Sequence, residues 1–174
     1  MRLFNVALIT VVVAAFSTTH VQAQEYFARM AGANETPAIL SNGSGTFKLS
    51  LDKNTNTATY ELTYSGLSSP ATQAHIHFSK VHVAGGIIIW LCQTATNPSP
   101  VPNTPTCPSA GGTVTGTITA NSVVAVPAQL VSAGDFDALT YALFTRSAYA
   151  NVHTTNAPAG EIRGQIRESD RDQQ

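Results

Sequence analysis

Charge is scarce in this chain. Only 11% of its 174 residues are Asp, Glu, Lys or Arg, the net charge is −1, and no run of basic residues occurs. Nucleic acid and anionic membrane surfaces are therefore excluded as main partners, since both are recognised through concentrated positive charge. Long apolar runs are lacking too. The run from Val6 to Phe16 ends well short of the roughly 20 residues that span a bilayer, and no later segment exceeds it. No glycine-rich phosphate loop, no Gly-x-Ser-x-Gly turn and no helical His-Glu-x-x-His site is found. The usual sequence signatures of nucleotide, serine-hydrolase and zinc-protease chemistry are thus missing. Cysteine is nearly absent, with only Cys92 and Cys107.

What is present begins with the layout of a secretory signal peptide. Arg2 precedes the apolar run, and Val21-Gln22-Ala23 is a small-residue cleavage pattern. The expected division is a leader over 1–23, one domain over 24–166 and a polar tail over 167–174. Cleavage near Ala23 would remove His20 and direct the protein to the periplasm or the extracellular space. In such an oxidising compartment an isolated cysteine pair reads as one disulfide, Cys92 with Cys107. The stretch between them holds Pro98, Pro100, Pro102 and Pro105, so it is neither a helix nor a central strand. Asn34-Glu35-Thr36 and Asn42-Gly43-Ser44 are N-glycosylation acceptor patterns at Asn34 and Asn42, meaningful only in a host with that machinery.

The body of the chain reads as short strands between turns. Phe47, Leu49 and Leu51 alternate with Lys48 and Ser50. The turn Asp52 to Asn56 leads to a returning strand over Thr57 to Ser65, which makes a hairpin. Further strands are expected over Ala74 to Lys80, Ile87 to Cys92, Gly112 to Thr119, Tyr149 to Thr154 and Ile162 to Ile166. One helix interrupts them near 135–145. Phe136, Leu139 and Leu143 fall on one side of it, Ser132 is placed to cap it, and Asp135 and Asp137 suit its positive end. Strands this short and this closely spaced suggest an all-β sandwich or barrel.

Within that pattern, Ala74-His75-Ile76-His77-Phe78 carries the most chemistry. Residues two apart on a strand share a face, so His75 and His77 lie about 7 Å apart on one side, while Ala74, Ile76 and Phe78 face the other. Of the five histidines, His75, His77 and His82 are clustered, and His153 stands alone downstream.

These pieces occur in one order with others: Asn34-Glu35-Thr36-Pro37 upstream, then Gly85-Gly86, Trp90-Leu91-Cys92, Gly134-Asp135-Phe136, Tyr149-Ala150-Asn151-Val152-His153-Thr154 and Pro158-Ala159-Gly160-Glu161-Ile162-Arg163-Gly164-Gln165-Ile166. Together they resemble the CHRD domain, the module named after its repeats in chordin and also found alone in secreted microbial proteins. The resemblance runs from about Glu25 to Ile166. It departs at Lys80-Val81-His82, where small residues would be expected, so His82 inherits no role. It implies an antiparallel immunoglobulin-like or superoxide-dismutase-like β-sandwich. In chordin such modules belong to an extracellular protein that binds growth factors, and the stand-alone members have no settled activity.

Three functional readings follow. If the strands of His75, His77 and His153 are neighbours, three imidazoles form a nitrogen-rich site for one copper or zinc ion, with Tyr149, Asn151 and Arg163 beside it. The strand His-x-His resembles the copper strand of copper–zinc superoxide dismutases, and Gly160 to Gly164 resembles their arginine-bearing end. Those enzymes use further histidines for a second metal, which this chain lacks, so one ion is the limit. A binding module with a surface histidine cluster is the first reading, and a copper-dependent redox enzyme the second. The third is a metal-free adhesion or protein-interaction domain for an extracellular protein or matrix partner. In that case the histidines merely hydrogen-bond Thr154, Asn151 or Gln73 on an outer sheet face. Glu161 and Arg163 would then be an ordinary exposed pair.

Overall fold

The computed structural model describes residues 23–169, so the expected leader lies almost wholly outside the described residues. The fold is all-β with one short helix. In chain order the strands are β1 (Gln24–Ala31), β2 (Ser44–Asp52), β3 (Thr57–Ser65), β4 (Ala71–Phe78), β5 (Gly86–Cys92), β6 (Gly112–Ile118), β7 (Ala148–Thr154), β8 (Ile162–Gln165) and β9 (Arg167–Glu168), with helix α1 (Phe136–Phe144) before β7. All pairings between these strands are antiparallel. Eight strands follow one path, β5-β4-β7-β8-β1-β2-β3-β6, which curls until it nearly closes as a sandwich, and β9 pairs with β1 off that path.

The core is built by alternation. Tyr26, Ala28 and Met30 of β1, Phe47, Leu49 and Leu51 of β2, and Ala58, Tyr60, Leu62 and Tyr64 of β3 all point inward. The expected β2–β3 hairpin forms, with Leu51 opposite Ala58. Asp52 accepts from the Asn54 amide across the turn. On the outer face Lys48 and Glu61 lie 3.0 Å apart, an exposed pair of small energetic value.

Two local expectations are corrected. Helix α1 is capped by Asp135, whose carboxylate accepts from the Ala138 amide, and not by Ser132. The turn through Gly134, at φ +81°, moves the helix start three residues past the serine. The polar tail also begins in register: Arg167 and Glu168 pair with Phe27 and Tyr26 of β1.

Cys92 and Cys107 form a disulfide that anchors the proline-rich segment to the end of β5. A closure of 15 residues is worth about 3 kcal/mol in the chain-entropy model. No helix among the described residues is long and apolar enough to cross a membrane.

The half of the sheet formed by β5, β4, β7 and β8 departs from simple alternation. Every residue of β7 is buried. Ala148, Ala150 and Val152 pack into the hydrophobic core, so Tyr149, Asn151 and His153 must be covered from the other side. That cover is where the chain places its chemistry.

Candidate metal centre

Strand register assembles the cluster. His75 and His77 of β4 stand opposite Asn151 and Tyr149 of β7, and His153 stands opposite Gln73. His153 is therefore the diagonal neighbour of His75 on the same face. Trp90 of β5 lies opposite His75, and Arg163 of β8 opposite Asn151.

Three loops roof this face. The segment 79–85 is held by Arg163 Nη2, which donates to the carbonyls of Lys80 and Val83 at 3.1 and 3.0 Å, and by Gln165, which donates to Ser79 O. Its return requires glycine, since a Cβ at Gly85 would sit 2.1 Å from Phe78 O. The segment 155–161 brings Gly160, at φ +130°, against Asn151 and Glu35. The third loop, after β1, supplies Glu35. The expectation of a surface histidine cluster is corrected accordingly: His75, His77 and His153 are 0%, 7% and 6% exposed. They do not bond Thr154, Asn151 or Gln73 through their rings.

One nitrogen from each imidazole lies within 4.8 Å of the others. His75 Nδ1 and His153 Nε2 are 3.1 Å apart. Tetrahedral ligands on Zn–N bonds of 2.0–2.1 Å are about 3.4 Å apart, so the third nitrogen has to close by at most about 1.4 Å, a side-chain rotation. The tautomers follow from the acceptors. His77 Nδ1 lies 2.9 Å from Gly85 O and His153 Nδ1 lies 3.0 Å from Pro158 O. A carbonyl only accepts, so both Nδ1 atoms carry the hydrogen and both Nε2 atoms carry the lone pair. With neutral rings, His75 Nδ1 must then be the donor to His153 Nε2. Nε2 of His75 and Nε2 of His77 are buried without any hydrogen-bond partner. Orphaning a buried polar atom costs about 1–3 kcal/mol. A ring N–H locked on a backbone carbonyl, with the opposite nitrogen bare, is the arrangement that orients a histidine ligand.

Burial keeps the rings neutral. It pushes His75 down to about 2, helped by neighbouring His153 and His77, and His77 down to about 4 against the pull of its Gly85 bond. His153 is lowered by burial as well, despite its bond to Pro158.

The residues expected beside the cluster are placed differently from one another. Tyr149 stacks flat on His77, with centroids 4.7 Å apart, and its other face carries the Arg163 guanidinium at 3.4 Å. Asn151 touches no histidine ring through a hydrogen bond; its amide donates to Glu35 and to Ile162 O. Arg163 lies beyond Tyr149. The expected exposed Glu161–Arg163 pair is corrected, since both side chains are buried and neither bonds the other. Glu161 instead accepts hydrogen bonds from Ser41, Ser68 and Thr154. His82 is exposed and outside the cluster.

Glu35 was not among the candidates, although its segment was. Burial raises its carboxyl to about 7, partly offset by the Asn151 amide, the Arg163 charge and the Thr36 amide. Because the folded value lies above that of the unfolded chain, folding is penalised progressively as pH rises from the ordinary glutamate range to about 7. Glu35→Gln keeps an acceptor for Asn151 and cannot ionise. Its melting temperature relative to wild type should therefore rise between pH 4 and pH 8. A constant difference across that range, measured by thermal denaturation, would show that Glu35 ionises as freely in the native state as in the unfolded one.

The chain belongs to the CHRD domain family, whose model matches residues 26–166. No curated protein and no solved structure gives a significant match. CHRD domains are generally protein-interaction modules, and the domain together with the disulfide fits an extracellular protein.

Proposed function

We propose that this CHRD domain is a secreted binding module that holds one copper or zinc ion on His75, His77 and His153. The observation that carries the reading is the convergence of three neutral, buried imidazoles, two of them fixed by backbone carbonyls through Nδ1 so that Nε2 carries the lone pair, bare on His77 and on His153 bonded only to His75. Neutral nitrogen donors without thiolate or carboxylate suit copper or zinc over calcium or magnesium. Bound there, zinc would cross-link β4 to β7, and copper would add one-electron redox capacity. The protein's own part is to exclude water, to hold His77 and His153 in one tautomer and to stack Tyr149 behind His77. An extracellular protein or matrix component is the proposed partner of the module as a whole.

Metal analysis of the purified mature protein tests the reading. One equivalent of copper or zinc, retained or restored by titration, is the expected result. A protein that neither retains nor takes up either ion would remove it.

A further inference from the structure

Tyr149 separates the histidine cluster from a second feature. On its Arg163 side a cavity of about 640 Å³ opens between β1, β8, β9 and the segment that follows β4. Arg29, Arg163 and Arg167 line it, with Asn34 and His82 among the polar groups and Phe27 and Val81 among the apolar ones. The whole chain has nine lysines and arginines, so three guanidiniums on one cavity are a concentration of charge the rest of the molecule does not show. Glu168 is the one carboxylate of the lining.

Arg163 is the unusual member. It is 3% exposed, yet no carboxylate lies within salt-bridge distance of it among the described residues, where Lys48–Glu61 is the only ion pair. Its Nη2 is taken up by the carbonyls of Lys80 and Val83, while Nε and Nη1 make no hydrogen bond among the described residues. The Tyr149 ring and the Glu35 carboxyl offset its charge in part, but a buried cation is ordinarily paired directly with an anion, because the pair recovers the hydration it forfeits. Arg163 belongs to the wall of the cavity, and an anion there would complete its guanidinium.

We propose that this cavity binds a small organic carboxylate, with Arg163 as the buried anchor, Arg29 and Arg167 as the exposed flanking charges, and Phe27 and Val81 against the ligand's apolar body. The volume lies in the range of small-molecule sites and exceeds what a simple inorganic anion fills. Guanidinium groups match the planar carboxylate.

The test uses the full-length mature protein without added metal, titrated with benzoate and with its neutral isostere benzamide, and followed by calorimetry and amide NMR shifts. Benzoate should bind at least tenfold more tightly than benzamide, with shifts at Phe27, Val81 and Arg167. Arg163→Gln risks the fold, because it cuts two bonds to the covering loop. The Arg29→Gln/Arg167→Gln variant alters exposed side chains only; it should keep its melting temperature and weaken benzoate at least fivefold. Equal affinity for benzoate and benzamide, or wild-type benzoate binding by the double variant, would overturn the proposal.

Discussion

Replacing His77 with alanine is expected to abolish the thermal stabilisation that zinc or copper gives the wild-type domain. An ion that binds only the native state stabilises it by RT ln(1 + [L]/Kd), about 2.7 kcal/mol at a hundred times Kd. For a domain of roughly 150 residues each kcal/mol moves Tm by about 2–4 °C, so the wild type should gain about 5–11 °C. His77→Ala takes away one of three donors and leaves the His75–His153 pair. Losing even an outer partner of a ligand costs 10–100-fold in metal affinity, and loss of the ligand itself exceeds that. At the same metal concentration the variant's gain over its own metal-free Tm should fall below about 2 °C. His82→Ala, which alters an exposed ring outside the cluster, should keep the wild-type gain. Equal gains in wild type and His77→Ala, read by differential scanning fluorimetry, would place any bound ion elsewhere.

The part of this site that could be read beforehand is the part set by strand periodicity. His75 and His77 share a face because their spacing is two, and no other fact is needed. The partnership with His153 depended on strand adjacency, which was a condition in the sequence and is met by the β4–β7 pairing. The roof was not legible, because it consists of backbone carbonyls. Gly85 O, Pro158 O, Lys80 O and Val83 O fix the histidines and Arg163, and a carbonyl has no sequence signature. An alternation of polar residues on one strand face therefore looked like a solvated surface, whereas it is a second, polar interior. Glu35 was missed because its side-chain partner Asn151 is 116 residues away. Strand β1 escaped as well, its inward set of Tyr26, Ala28 and Met30 being too mixed to stand out. Sequence-local features fared better, as with the β2–β3 hairpin, the cysteine pair and the position of α1.

Glu161→Ala is expected to lower stability by about 3 kcal/mol, the loss typical when one member of a buried charged network is removed. Its carboxylate is fully buried and accepts from Ser41 Oγ at 2.6 Å, Ser68 N and Ser68 Oγ at 2.7 Å, and Thr154 Oγ1 at 2.6 Å. Those donors come from the segment before β2, the segment before β4, and β7, so one side chain ties three parts of the chain together. Burial by itself would raise the carboxyl, but the hydrogen bonds from Ser41, Thr154 and Ser68 outweigh it and hold it below the usual glutamate range. The sign for pH follows. A depressed native value gives stability that is complete above the unfolded glutamate range and lost as pH falls through the native value. At pH 7 the variant should melt about 6–12 °C below wild type, and the gap should narrow in acid as the wild type loses the ionised form. An unchanged gap at pH 3 would show that the carboxylate's charge contributes nothing. The effect should also reach the histidines without direct contact. Glu161 follows the turn whose Pro158 carbonyl holds His153 Nδ1, so freeing that turn releases the tautomer on which metal affinity rests. Glu161→Ala should therefore weaken zinc or copper binding by about 10–100-fold, as expected of a group that orients a ligand, even where the protein remains folded.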